Sequence, residues 1–540
     1  MKLAVLASVA TLSLVAGSAA LAGPTVKGAG YFDYDGGAVI VAGGAGGFGG
    51  STTSLPAVTS AFQGISQYDT RAFGRNFIPP DTMGAVGRTQ YLETVNGAVA
   101  VFDKATGVRT SIQSDVDFWA NAGQVGTNGD PRVMYNAASN KWIALTFGSS
   151  LSDIQIAVSN TSDALGGWRS TKFTGFAGGI ADYPTLAIDK NAVYIGTNNF
   201  GGPTNSFKGT TLNVLSLANL LAESGPTTTG LVQFVTPCCA ATDDFTRGFA
   251  IQGVNSSANT TTGKILAVSI EGNGLTRYDI ANAGTAGATR GASTDFLGFA
   301  NYQSNKPARQ PSPVLANQRI IDPSDDRVGS SVWEVNGRIY SVHTVTQVGT
   351  DHTVVRYDVI DSATNTVLAE GDIGDATHDY FQGSIAVNEF GQVVIGYNRS
   401  GLGADGKISF LARTYNTNPN GTLRSTGSEL LLKVSDTNDY HNGSLDGQAA
   451  TGRQRWGDYS AVSVDPTIAH EFWLIGEYGR EPNNDANGHP GGTGGTRFGT
   501  YIASINVGSV PEPATWGMMI AGFGLVGAMQ RRRRTGYATH

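Results

Sequence analysis

The sequence predicts an all-β protein of the β-propeller type, with seven blades as the leading count and six or eight as alternatives. Three observations carry this. The chain is rich in Gly and poor in charge: 73 of 540 residues are Gly, 15% are charged and 40% are hydrophobic, where ~7% Gly and ~25% charged are usual. Apolar segments between about 61 and 507 are short and bounded by Gly, Asn, Asp and Pro, the pattern of strands between turns. And one signature recurs along the chain, so one structural unit is used repeatedly. The same figures exclude other classes. Few charges argue against a coiled coil or a charge-driven disordered chain. A formal net charge of −7 gives no footprint for nucleic acid. Two Cys make neither a disulfide scaffold nor a four-Cys zinc site.

In chain order, Lys2 precedes an apolar run from Leu3 to about Ala16, and the small-residue stretch ends Ala20-Leu21-Ala22-Gly23. This is a secretory signal peptide over 1–22, cut by signal peptidase after Ala22. Residues 23–60 form a Gly/Ala-rich leader with little to pack. A strand at Ala38–Ala42 that closes the fold from the N-terminal side is the alternative for part of it.

The body, 61–507, carries the repeats. Asp182-Tyr183-Pro184-Thr185-Leu186-Ala187-Ile188-Asp189 precedes a strand at 192–196. Asp458-Tyr459-Ser460-Ala461-Val462-Ser463-Val464-Asp465 precedes 472–475, and Asp379-Tyr380 leads to 384–388 and 392–395. Looser copies begin at Asp81 and Asp130, and weaker units cover 248–268 and 328–342. Such units are longer than the ~40–50 residues of common blades, so loop insertions fill the difference. One unit cannot bury both its faces, whereas radial repetition can. A parallel β-helix is the runner-up. Asn418-Pro419-Asn420-Gly421 reads as a turn, and Leu215–Ala222 is the best helical candidate.

In a propeller the starts of the inner strands converge at one mouth of the channel. Asp81, Asp130, Asp182, Asp379 and Asp458 are therefore candidates for an acidic partial ring. It could bind Ca²⁺ through oxygen ligands or supply a carboxylate pair for glycoside hydrolysis. The structural alternative is that each Asp caps a local turn. Arg453, Arg455 and Trp456 are a candidate saccharide platform, with blade packing as the alternative for the Trp. Cys238 and Cys239 are adjacent in an exported chain, which favours a vicinal disulfide. The seven His show no zinc-like spacing, and His378 and His441 read as lone surface residues. No nucleophile elbow, phosphate loop or dinucleotide fingerprint is present.

The last segment, 508–540, holds Pro511-Glu512-Pro513 and Thr515-Trp516, an apolar stretch from Gly517 to Met529, and Arg531, Arg532, Arg533 and Arg534. The stretch is near the lower limit for a transmembrane helix, and the Arg cluster would stay cytoplasmic. This tail resembles the PEP-CTERM sorting signal of Gram-negative bacteria. The resemblance implies recognition of Pro511, Glu512, Pro513 and Trp516 by a membrane exosortase, transient anchoring in the inner membrane, and delivery to the cell surface or exterior alongside exopolysaccharide. The repeated block resembles sialidase-like propellers in architecture, but the Ser-x-Asp-x-Gly-x-Thr-Trp box of sialidases is absent. Losing Lys2 and the four Arg on maturation would leave a body more acidic than the precursor, which suits cations or neutral glycans as partners. Two functions are expected: a non-enzymatic surface or matrix binding module, or a secreted carbohydrate-active hydrolase or lyase.

Overall fold

The computed structural model describes residues 55–508, except 204, 239–247, 259, 269–273, 296–300, 312–319, 439, 442–452, 483 and 489–494. The signal peptide, most of the leader with its Ala38–Ala42 alternative, and the sorting tail lie outside the described residues.

The chain is mostly β and propeller-like. Its strands form successive antiparallel meanders, and each unit read from the sequence opens one. The first meander runs Met83–Val86, Gln90–Val95, Ala98–Asp103 and Arg109–Ser114. The second runs Arg132–Asn136, Lys141–Phe147, Asp153–Ser159 and Trp168–Thr174. The third begins with Gly179–Asp182 and Ala187–Ile188, which both pair with Ala192–Gly201, and goes on through Ser206–Ser216 to Val232–Pro237. Phe249–Ser256 opens the fourth and Val332–Val335 the fifth, and these two first strands pair in parallel. His378–Val387 opens the sixth, followed by Gln392–Gly401 and Ser409–Thr417. The seventh runs Ala461–Val464, Glu471–Pro482 and Thr496–Asn506.

The seventh takes its outermost strand from the other end of the body. Ala57–Ser66 pairs with Thr496–Asn506, with Ala57 opposite Asn506. The seventh meander is thus completed from the N-terminal side, and the completing strand begins inside the stretch expected to be leader. Glu93 on the first meander ties this seam. Its buried carboxyl accepts the Ile65 N–H at 2.9 Å and the Thr500 hydroxyl. A Cβ at Gly64 would run into that carboxyl, so the close approach requires Gly there.

Adjacent meanders bury their faces against each other. Ile143, Leu145 and Ile156 meet Leu186, Val193 and Ile195 between the second and third. Val394 and Phe410 meet Phe472 and Leu474 between the sixth and seventh. Each such side chain contributes about 1.5–3 kcal/mol of burial, which is why no single meander stands alone. The turn at 418–421 forms as expected, with the Gly421 N–H on the Asn418 carbonyl at 2.9 Å. Helix is confined to short pieces. Gln67–Ala72, Asp115–Asn121 and Leu217–Leu220 each start at a Ser ending a strand, Ser66, Ser114 and Ser216, whose hydroxyl caps the first turn. The last lies within the expected 215–222. Among the described residues no helix is long and apolar enough to cross a membrane.

Candidate functional site

The entrances to the first strands share a backbone device. Asp81, Asp130, Tyr183, Ala250 and Gln382 all have positive φ, between 48° and 54°. A left-handed residue re-aims the chain as it enters the strand, at a cost of about 1–2 kcal/mol for a residue with a Cβ. The first strands lie side by side, Met83–Val86 against both Arg132–Asn136 and Ala461–Val464. Their entrances therefore meet.

Four of the five repeated aspartates come together there. Asp81 is buried. Its Oδ1 accepts the Asp458 N–H at 3.0 Å, and its Oδ2 accepts the Asn96 amide at 2.6 Å. The Asn96 carbonyl oxygen takes the Asp130 N–H at 2.8 Å, so Asn96 bridges the first two entrances. Asp130 accepts the Tyr459 hydroxyl at 3.0 Å. Arg455 reaches Asp458 at 3.5 Å. Asp130, Asp182, Asp458 and Arg455 keep some contact with water.

The Tyr that follows Asp in the signature floors this cluster. Tyr183 and Tyr459 are buried, with ring centroids 4.9 Å apart. The Arg132 guanidinium lies 3.5 Å over the Tyr459 ring, and Arg327 lies 4.3 Å over Tyr183. Arg327 is held by both oxygens of Asp325. Arg132 is 3% exposed and donates from Nε to the Pro184 carbonyl at 3.0 Å, while its Nη2 has no partner.

Burial and mutual repulsion raise the carboxyls. Burial, then Asp458 and Asp130, hold Asp81 well above the usual carboxylate range. Burial, then Asp458, push Asp130 up to about 6. Burial, then Asp130 and Asp458, push Asp182 up to about 7. Asp130 and Asp182 therefore exchange protons close to neutral pH. Glu477, buried with Oε1 unpaired, is also raised, by burial and then by Asp81.

The fifth aspartate has a different partner. Asp379 is buried and takes both Nε and Nη2 of Arg309 at 2.8 Å, with His352 Nδ1 3.5 Å away. It is a structural ion pair and not a member of the cluster.

The turn-cap reading holds for a different residue of the signature. Asp189 Oδ1 accepts the N–H groups of Asn191 and Ala192, at 2.8 and 2.7 Å, and its Oδ2 takes the Tyr194 hydroxyl at 2.6 Å. Asp465 Oδ1 accepts the N–H groups of Thr467 and Ile468, and its Oδ2 takes the Trp473 indole N–H at 3.0 Å. The closing Asp caps the turn after the first strand, while Asp81 and Asp130 at the opening end reach across to the seventh meander.

Arg453, Arg455 and Trp456 do not form one platform. Trp456 is 1% exposed, edge-on to Tyr440 at 4.7 Å, and its indole N–H donates to Asn398 Oδ1. It packs the core and offers no open face for stacking. Arg455 joins the aspartates. Arg453 lies on a short strand, Arg453–Arg455, parallel to Ile320–Asp322. His378 is likewise no lone surface residue. It is buried, with Nδ1 2.9 Å from Asp375 and Nε2 3.3 Å from Asp405. His441 is half-buried, and its N–H donates to the Thr496 hydroxyl. Cys238 is disulfide-bonded, and the chain's other cysteine, Cys239, lies outside the described residues. Among the described residues no group of three or more His, Cys, Asp or Glu is placed to hold a metal ion, so the Ca²⁺ expectation finds no ligand set there.

Sequence reasoning missed Asn96, Arg132, Arg327 and the floor role of the tyrosines. The repeated Asp-Tyr pair was the available signal for the floor. Arg132 stands two residues after Asp130, but Arg327 has no counterpart elsewhere in the repeats.

Comparison with known proteins adds the tail. The PEP-CTERM protein-sorting motif matches residues 509–534, which implies an exported protein processed by exosortase. No curated protein matches the chain. Among solved structures, a protein of unknown function from Dyadobacter fermentans is 10% identical, over 78% of this chain and 94% of that one, with a TM-score of 0.36. Drosophila Semaphorin 1b, extracellular domains 1-2, is 10% identical over 84% and 87%, at 0.34. The β-propeller domain of the Trilobed protease from Pyrococcus furiosus is 10% identical over 65% and 94%, at 0.28. At such scores these likenesses carry no argument about this chain.

Proposed function

We propose that this exported, exosortase-sorted chain has a seven-bladed β-propeller body that works as a surface or matrix binding module for neutral polyhydroxyl ligands, as in an exopolysaccharide or biofilm. The observation that carries the reading is the meeting of Asp130, Asp182, Asp458 and Arg455 over a Tyr and Arg floor that still holds an unpaired Arg132 nitrogen. Carboxyl and guanidinium groups side by side offer acceptors and donors to the same sugar hydroxyls. Seven repeated units, closed by a strand from the N-terminal side, support the blade number. The surface location follows from the sorting motif together with the signal peptide expected at 1–22. The Cys238–Cys239 pairing is part of the proposal, as a stiffened loop.

A second reading has its own support. Asp130 and Asp182 belong to one cluster of carboxyls raised by burial and by each other's charge, and paired carboxyls of this kind can serve a hydrolase as acid and base. The two are separated by a glycan array run beside a polysaccharide degradation screen. Binding without chain shortening supports the module; chain shortening that D130N or D182N abolishes supports a secreted carbohydrate-active enzyme.

A further inference from the structure

The sixth meander holds a histidine that the aspartate cluster does not use. His378 opens its first strand, opposite Gly401 at the end of the second, so both stand at the end of the body where first strands begin. The imidazole is buried between two turns and rests against Gly401, where a Cβ would come within 2.9 Å of it. On one side is its own turn. Asp375 Oδ2 is 2.9 Å from Nδ1, and Asp375 Oδ1 is 3.1 Å from it. The Thr377 hydroxyl, 2.9 Å from Nδ1, donates to Asp375 Oδ1 and so offers the ring only a lone pair. On the other side Nε2 is 3.3 Å from Oδ2 of Asp405, on the turn that joins the second and third strands.

Each ring nitrogen therefore faces acceptors alone. A neutral imidazole has one N–H and an imidazolium two, so both sides attract only when the ring is charged. When the ring gives up one proton, Nδ1, with three close acceptors, keeps its own. Nε2 is then a lone pair set against the Asp405 carboxylate. Asp375 stays ionised throughout: against the burial that would raise it, bonds from Thr377, Tyr380 and His378 hold it below the usual carboxylate range. The Asp405 turn is closed by the Gly401 N–H on the Gly406 carbonyl and the Gly406 N–H on the Gly403 carbonyl, both at 2.9 Å. Its tip, residues 402–405, is exposed. Among the described residues Asp405 has no ion partner but His378. The other charged or titratable groups nearby are engaged elsewhere. Tyr380 donates to Asp375 Oδ2 at 2.9 Å and meets Arg399, which pairs with Glu429. His352, from the fifth meander, touches the His378 carbonyl and not its ring. Arg309 is bound by Asp379, and Lys407 reaches toward the Asp436 carbonyl.

We propose that His378 is a pH-operated latch on the rim of the body: charged, it ties the 402–405 tip to the entrance of the first strand through Asp405, and neutral, it lets the tip go. The latch is set in acid and opens as pH rises through the range in which an imidazole gives up its proton. It works whatever the aspartate cluster binds. The test puts a nitroxide on L402C of the full-length protein, at the tip, and reads the mobile fraction of its EPR spectrum from pH 5 to pH 8.5. A rise of at least threefold across that range is expected. With D405A added, at an exposed position, the label should be mobile at both ends of the range, and H378Q should do the same. If H378Q fails to fold, D405A carries the test alone. A mobile fraction that does not change with pH overturns the latch, as does a pH response that survives D405A.

Discussion

The two ends of the repeated signature use the same residue type for opposite purposes. At the closing end, Asp189 and Asp465 each have both oxygens engaged by a turn and by a Tyr hydroxyl or Trp indole. Asp465 also pairs with the buried Lys104 at 2.8 Å. At the opening end, Asp81, Asp130, Asp182 and Asp458 face each other, and their charges are in conflict. An acid whose oxygens are all engaged holds the fold, and Asp81, with Oδ1 on the Asp458 N–H and Oδ2 on the Asn96 amide, does so as well while facing other acids. An acid set against other acids stores repulsion that a proton or a ligand can relieve.

The comparison breaks first at Asp465. D465A leaves the buried Lys104 without its carboxylate and removes two turn bonds and the Trp473 acceptor, so about 3–4 kcal/mol should be lost. Urea unfolding at pH 7 measures it, and a loss under 1 kcal/mol would place Asp465 with the dispensable caps. D189A has no Lys to orphan and should cost about 2 kcal/mol in the same assay.

The opening end should respond in the other direction, and only with pH. Asp182 is near 7 in the fold, against about 3.9 in an unfolded chain. A raised carboxyl favours the fold fully below the unfolded value, and that contribution is lost as pH rises through the folded one. Asp130, near 6, and Glu93, raised by burial to about 8, act with the same sign. The melting temperature should therefore fall between pH 5 and pH 8.5. The D130N/D182N double variant should lose less over that range, gaining about 1–2 kcal/mol relative to wild type at pH 8.5 after allowance for partial exposure. A parallel pair of melting curves would sink the claim of stored repulsion. The smallest change is at Tyr459. Y459F removes the hydroxyl that holds Asp130 down, so Asp130 should titrate higher, at a stability cost of about 1 kcal/mol. Carboxyl ¹³C NMR reads the shift.

The strand–turn repeat was legible because one period places residues of one type at the start of each first strand. The strand that completes the seventh meander was not. Ala57–Ser66 straddles the expected boundary between leader, 23–60, and body, 61–507, the N-terminal strand weighed from the sequence was Ala38–Ala42, and the partners of Ala57–Ser66 lie beyond residue 498, so no local pattern marks it. The same limit explains Asp379. Its signature matches that of Asp182, but its partner Arg309 comes from a loop outside the repeat. Trp456 was ambiguous for a related reason: beside two Arg it suggests a sugar platform, and only Tyr440, Phe381 and Asn398 around it make it core. Asp465 and Asp189 stand in the repeat as plainly as Asp458 and Asp182, but sequence spacing does not tell which end of a strand faces other acids.

The most direct test of a ligand site at the opening end is the affinity of the full-length protein for a polysaccharide retained on the glycan array, compared with that of D130N/D182N at pH 7. The account predicts at least a tenfold loss of affinity in the variant, with a melting temperature at pH 5 close to that of wild type. Equal affinity in the two proteins would contradict it and leave the aspartates with a structural role alone.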